Sequence, residues 1–137
     1  MNSFFFAFSS SWSGYNDELA WSAAWLYKAT ADPTYLSKAE SFFDEFGLAY
    51  TPTEFSWDNK VAGVQILLLE ATSASKYESA INAFVSYVMN EAQYTPKGLI
   101  FIDKWGSLRH ASNIVHACVQ VRLILSYRSC LRKFNLF

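Results

Sequence analysis

The sequence predicts an all-α protein whose helices form two layers, an inner ring and an outer one. Three observations carry that expectation. Apolar residues recur at helical spacing through five segments. Segments that are apolar on nearly every face alternate with segments that carry a single apolar stripe. A helix apolar all round must be covered on several sides, whereas a one-striped helix lies on an outer surface. Finally, the hairpin signature Ala29-Thr30, Tyr35, Ala39, Phe42 recurs as Ala71-Thr72, Tyr77, Ala80, Phe84, at an offset of 42 residues except at Ala39, which is shifted by one. That period exceeds the ~34 of a tetratricopeptide repeat and falls in the range of HEAT-like helical pairs. By this count the chain holds about three units, and a stack of three leaves open ends.

The first helix is expected from about Asp17 to Ala31, with Leu19, Ala20, Trp21, Ala23, Ala24, Trp25 and Leu26 apolar nearly all round. Asp32 followed by Pro33 reads as the N-cap and first helical position of the second. That helix puts Tyr35, Leu36, Ala39, Phe42, Phe43 and Phe46 on one stripe, with Lys38, Glu40, Asp44 and Glu45 off it. The third, from about Asn59 to Ala71, is again apolar on most faces, through Val61, Ala62, Val64 and Ile66-Leu67-Leu68-Leu69. The fourth, from about Lys76 to Ala92, is one-sided, with Tyr77, Ala80, Ile81, Phe84, Val85 and Val88. The fifth starts after Gly106 and runs through Leu108, Ala111, Ile114, Val115 and Cys118.

The composition suits a packed domain. Of 137 residues, 52% are hydrophobic and 18% aromatic, too much apolar surface for a disordered tail. Charged residues are 17%, below the ~25% usual in soluble domains. A net charge of −1 argues against nucleic-acid binding driven by bulk charge. No apolar run reaches the roughly 18 residues of a membrane span, and no membrane partner is expected. The cluster Phe4-Phe5-Phe6-Ala7-Phe8 lacks a basic flank and is short for a signal peptide. Cys118 and Cys130, twelve residues apart on one helix, would stand about 18 Å apart, too far to bridge. Residues 1–121 carry −5, whereas residues 122–137 carry +4 through Arg122, Arg128, Arg132 and Lys133. The chain therefore divides by composition near residue 121, into a main part, 1–120, and a divergent basic end, 121–137.

Each inner helix is preceded by a Trp with an acid nearby: Trp12 with Asp17, Trp57 with Asp58, Trp105 with Asp103. Three Trp at matching helix ends would line one mouth of the ring. Flat rings beside charged groups suit a sugar, whose C–H face stacks on the ring while its hydroxyls take hydrogen bonds. Arg109, four residues after Trp105, falls one turn further along the same face. The alternative is that each Trp anchors its loop to the core. Ser13, Asp17, Glu18 and Asp58 supply hard oxygen ligands around two neighbouring helix starts, a candidate calcium site. The alternative there is that these acids serve the helix dipole. His110 and His116 have no carboxylate or Cys at ligand spacing, so zinc is not expected, and His110 reads as a polar core residue. No phosphate loop, nucleophile elbow or dinucleotide fingerprint occurs.

Four ordered motifs closely resemble glycoside hydrolase family 9, the endo-β-1,4-glucanases that cut cellulose: Gly14-Tyr15-Asn16-Asp17-Glu18-Leu19-Ala20-Trp21, Phe55-Ser56-Trp57-Asp58-Asn59-Lys60, Tyr94-Thr95-Pro96-Lys97-Gly98-Leu99 and Trp105-Gly106-Ser107-Leu108-Arg109-His110-Ala111. The resemblance covers about Ser11 to Gln120; Val121 to Phe137 matches nothing that can be placed. It implies about half of an α/α toroid of six hairpins, secretion from the cell, and an open cleft holding β-1,4-glucan on aromatic platforms. Trp12, Trp57 and Trp105 match platform positions, and Arg109 matches a substrate-contacting Arg. Phe8 stands where the family has an aromatic, while Ser9 replaces an expected Tyr. Several members bind calcium near the Asp-Glu pair, which supports Ser13, Asp17, Glu18 and Asp58; no other cofactor is implied.

The resemblance also implies hydrolysis with inversion by a carboxylate base and a carboxylic acid. The family's base lies in an Asp-Ala-Gly-Asp motif, which does not occur here, and its acid Glu and His-rich loop follow the region matching residue 120. The expectation is therefore an internal part of a cellulase with no catalytic residue of its own and no hydrolysis in isolation. A non-catalytic β-glucan-binding module is the alternative, and a helical scaffold for proteins is a third reading.

Overall fold

The computed structural model describes residues 12 and 14–133, with side chains as far as Ser129. Phe8, Ser9, Ser13, the apolar cluster before them and the Cys130 side chain lie outside the described residues. Five helices follow in order: α1 (Asn16–Thr30), α2 (Pro33–Glu45), α3 (Val61–Thr72), α4 (Ser75–Asn90) and α5 (Ser107–Lys133). The described residues are all-α, two and a half hairpins of an α/α toroid, with one isolated bridge between Tyr94 and Ile100.

The 42-residue repeat is the hairpin turn written twice. Thr30 Oγ1 donates back to the Leu26 carbonyl and accepts from Asp32 N–H. Thr72 Oγ1 does the same with Leu68 and Ala74. Ala31 (φ 57°) and Ser73 (φ 59°) then take the left-handed conformation, returning their N–H groups to Tyr27 and Leu69. Asp32 caps α2 by accepting from Thr34 N–H at 2.9 Å, and Pro33 occupies the first turn.

α3 is the centre of the layer structure. Every residue from Val61 to Leu69 is buried, including Gln65, whose Nε2 donates to the carbonyls of Leu48 and Tyr50 and holds that loop down. α1 and α5 flank α3, and α2 and α4 cover it from outside. The outer helices meet at Tyr77, fully buried edge-on to Phe43 and donating to Glu40 Oε1, with Lys76 reaching Asp44. Burial, with the Glu40 hydrogen bond adding to it, pushes the Tyr77 phenol up to about 12. Leu68, Leu69, Ile81 and Phe84 are at or near zero exposure. Each stabilises the fold by roughly 1.5–3 kcal/mol relative to an exposed position.

One feature differs from the sequence-based expectation. α1 is not covered all round: Ala20, Ala23 and Ala24 are buried, but Leu19, Trp25 and Leu26 are exposed, because among the described helices only α2 and α3 pack on it. α5 runs on past Cys118 unbroken to Lys133, across the charge break, so positions 118 and 130 do share one helix. Its later turns are held by Arg128, which pairs with Glu78 and donates to the Ser73 carbonyl. Its outward face leaves Leu108, Val115, Val119, Leu123 and Tyr127 exposed.

Candidate functional site

The three inner helices run parallel, because α1 and α3 touch at both ends in the same register. Near their starts Asp17 accepts from Lys60 N–H at 2.6 Å, and near their ends Lys28 pairs with Glu70 at 2.7 Å. α3 and α5 agree in direction: Asn113 reaches the Phe55 carbonyl near the starts, and Arg128 reaches Ser73 near the ends. The N-termini of α1, α3 and α5 therefore share one end of the layer. Trp12, Trp57 and Trp105 each lie just before one of them. Their exposures are 88%, 46% and 75%, so none is a loop anchor sunk in the core. Trp21 takes that role instead, half-buried and edge-on to both Trp25 and Phe55.

The Trp57 loop is rigid for local reasons. Ser56 Oγ accepts from the N–H groups of Asp58 and Asn59, and Ser56 N–H donates to the Asn59 carbonyl. Trp57 stands at the apex of this turn. Asn59 Oδ1 accepts from Val61 N–H at the start of α3, while its amide donates to the Tyr50 hydroxyl. Lys60 Nζ donates to the Trp57 carbonyl. Trp12 N–H donates to Asp58 Oδ1 at 2.6 Å, so the first two Trp segments meet directly.

Trp105 is set by Asp103, whose carboxylate accepts its N–H at 2.8 Å. Gly106 follows in the left-handed region at φ +66° and starts α5. The exposed Arg109 folds its guanidinium over this glycine; a Cβ at Gly106 would lie 2.9 Å from an Arg109 terminal nitrogen. The preceding loop closes on itself through Thr95 and Leu99 and is pinned by buried Ile100.

Beside the Trp57 loop lies the acid pair of α1. Asp17 is buried and bound to Lys60 N–H. Glu18 Oε1 is 3.4 Å from Lys60 Nζ, and its Oε2 is buried with no hydrogen-bond partner. Burial, then the neighbouring Asp17, holds the Glu18 carboxyl above the usual carboxylate range. An orphaned, desolvated carboxylate oxygen beside a second acid fits a hard cation. Asp58 is engaged with Trp12, and Ser13 lies outside the described residues. Among the described residues no group of three His, Cys, Asp or Glu gathers as a metal site.

One constellation had no signal in the sequence. His110 is buried at 6% exposure, with Nδ1 3.4 Å from Glu54 Oε2 and no hydrogen-bond partner. Glu54 and Asn113 lie in no motif of their own, and their partners are more than fifty residues away, so only packing reveals them. A cavity of about 590 Å³ lies between α4 and α5, lined by Val85, Cys118, Arg122 and Leu125, and includes none of the Trp. The candidate site is therefore the Trp end of α1, α3 and α5, where the exposed rings, Arg109 and the acid pair gather. No described helix is long and apolar enough to cross a membrane.

Comparison with known proteins gives a consistent result. A profile of Glycosyl hydrolase family 9 matches residues 5–135. Endoglucanase B of Cellulomonas fimi is 42% identical over 118 residues, which is 78% of this chain and 11% of that protein. Endoglucanase 20 of Arabidopsis thaliana is 37% identical over 136 residues, 92% of this chain and 26% of that protein. Among solved structures, an endoglucanase from the termite Nasutitermes takasagoensis superposes with a TM-score of 0.78 at 46% identity, covering 88% of this chain and 28% of that one. The cellulase Cel9M of C. cellulolyticium, solved with cellobiose, gives 0.68 at 26% identity, covering 92% of this chain and 33% of that one. The chain thus spans roughly a tenth to a third of the length of these relatives.

Proposed function

The chain belongs to glycosyl hydrolase family 9, and on that premise we propose that it forms the glucan-holding wall of a secreted endo-β-1,4-glucanase that hydrolyses cellulose with inversion. The observation that carries this reading is the exposure of Trp12, Trp57 and Trp105 at one shared end of three parallel helices. Each ring offers a flat face to a pyranose, and the Arg109 guanidinium supplies donors for its hydroxyls. The chemistry named in the relatives' descriptions, endoglucanase action and a cellobiose complex, agrees with a β-glucan ligand.

Inversion needs an acid and a base roughly 6.5–9.5 Å apart with a water between them. Of the acids near the Trp end, Asp17 accepts from Lys60 N–H, Asp58 from Trp12, Asp103 from Trp105, Glu54 faces His110, and Glu18 is largely covered beside Lys60 and Asp17. These 137 residues also contain no Asp-Ala-Gly-Asp. The chain by itself accordingly binds glucan without cutting it, and in that property it coincides with the second reading, a non-catalytic β-glucan-binding module. Calcium is proposed at Asp17 and Glu18, with Ser13 and Asp58 as further oxygen donors; bound there, it would fix the start of α1 against the Trp57 loop.

Affinity electrophoresis in gels containing hydroxyethylcellulose tests the proposal. The chain should be retarded, and Trp105→Ala should migrate faster. Equal migration of both with and without polymer would remove it. Release of reducing sugar from carboxymethylcellulose by the purified chain would overturn the division between holding and cutting.

A further inference from the structure

We propose that Glu54, His110 and Asn113 are positioning residues: together they strap the Trp57 loop to α5 and so set the spacing between the Trp57 platform and the Trp105–Arg109 edge. The proposal rests on the glucan reading of those platforms for its function, but the strap itself is a matter of geometry. The Trp57 turn has its own internal bonds, and these fix its shape, not its distance from α5. Toward α1 it is tied by Trp12, Asp17 and Glu18. Toward α5 the described hydrogen bonds and ion pairs come from two residues one turn apart on the same face of that helix. Asn113 Nδ2 donates to the Phe55 carbonyl at 3.1 Å, and His110 Nδ1 faces Glu54 Oε2 at 3.4 Å. Both land on the two residues that lead into Ser56 and Trp57.

The location makes the strap specific to the site rather than to the fold at large. His110 follows Arg109 directly, so whatever fixes the rotation of α5 at His110 also fixes where Arg109 and Trp105 stand. The contact is nearly dry: the His110 side chain is 7% exposed, and its buried Nδ1, which makes no hydrogen bond, has the Glu54 carboxylate facing it at 3.4 Å. A buried polar atom is drawn to the one opposite group within reach, so the pair adds to the Asn113–Phe55 hydrogen bond in holding this segment. A glucan chain spanning two platforms samples their separation directly, since its rings repeat at a fixed length.

The test uses the 137-residue chain, ¹⁵N-labelled, read through its Trp indole resonances. Glu54→Ala should shift and broaden the Trp57 indole signal and leave Trp25, which sits on α1, unchanged. Glu54→Gln, which keeps the side chain's length and an oxygen facing His110, should restore the wild-type signal. In hydroxyethylcellulose gels Glu54→Ala should weaken binding about fivefold. In a Trp57→Ala background it should cost nothing further, because its effect passes through that ring. A strap that serves only stability would lower the melting temperature but leave this coupling at zero. If Glu54→Ala does not fold, Asn113→Ala cuts the second half of the strap and is read in the same way. An unmoved Trp57 indole in the folded variant, or an undiminished loss in the Trp57→Ala background, overturns the proposal. If the wild-type chain does not bind the polymer, the glucan reading fails while the Trp57 indole still decides the strap.

Discussion

Gly63→Ala is the sharpest test of how the site is built, because one methyl group meets both the core and the loop. Gly63 sits in the first turns of α3, buried against Trp21 of α1. A Cβ built there lies 2.2 Å from Trp21 Cζ3, 2.9 Å from Cη2 and 3.0 Å from Phe55 Cε2. Ordinary contact begins near 3.4 Å, so the Trp21 ring must retreat by more than 1 Å, and it is packed edge-on against Trp25 and Phe55. Overpacking of this kind costs about 1–3 kcal/mol, and the rigid indole places it at the upper end. Alanine recovers about 1 kcal/mol of helix propensity. The net expectation is a loss of about 2 kcal/mol, read as a lower urea midpoint at unchanged slope, with Trp21→Leu in the same chain recovering most of it. Because Phe55 leads into Trp57, glucan binding should weaken with stability. A Gly63→Ala variant as stable as the wild type would show that α1 and α3 do not approach as described.

Further expectations follow from the same contacts. Tyr77→Phe removes the hydrogen bond to Glu40 while keeping the ring on Phe43, and should cost about 1 kcal/mol in urea unfolding. Glu18 has a raised carboxyl in the folded state, so its contribution to stability is present below the ordinary value of 4.5 and is lost as pH rises through its elevated one. In chelator the melting temperature should fall over that range, and calcium at about a hundred times its dissociation constant should restore roughly 2.7 kcal/mol. Glu18→Gln should abolish the calcium response; an equal response in both proteins would place the ion elsewhere. The exposed apolar stripe of α5 should drive self-association, so Leu123→Lys should raise the monomer fraction in gel filtration. A wild-type chain that elutes as a monomer at every concentration would contradict this.

The helices and their layering were legible because they rest on local patterns. The repeated Ala-Thr pair marks a turn whose threonine bonds are the same in both hairpins, and Asp32-Pro33 states its cap outright. The Trp line was legible for a related reason: each ring is tied to a helix start, and helix starts can be read from sequence. What could not be read depends on which faces pack. α1 looks apolar all round in sequence, yet Leu19 and Leu26 stay exposed, because among the described helices α2 and α3 cover only part of it. The composition changes after residue 121, yet α5 runs straight through it, because Val121, Ile124 and Leu125 keep packing on the core and Arg128 ties the later turns across the layer. Glu54 and His110 are 56 positions apart, and nothing local to either announces the other. Lys60 belongs to a motif, but its part in linking Glu18 to the Trp57 carbonyl emerges only in three dimensions.

If the three exposed Trp at one end of the parallel helices form a single glucan groove, as proposed, one oligosaccharide must touch all of them. Titration of the ¹⁵N-labelled chain with cellohexaose, followed through the Trp indole signals, reads this contact. Trp12, Trp57 and Trp105 should shift together with one apparent dissociation constant, while Trp21 and Trp25 stay in place. Unchanged indoles at saturating oligosaccharide, or shifts confined to Trp21 and Trp25, would contradict it.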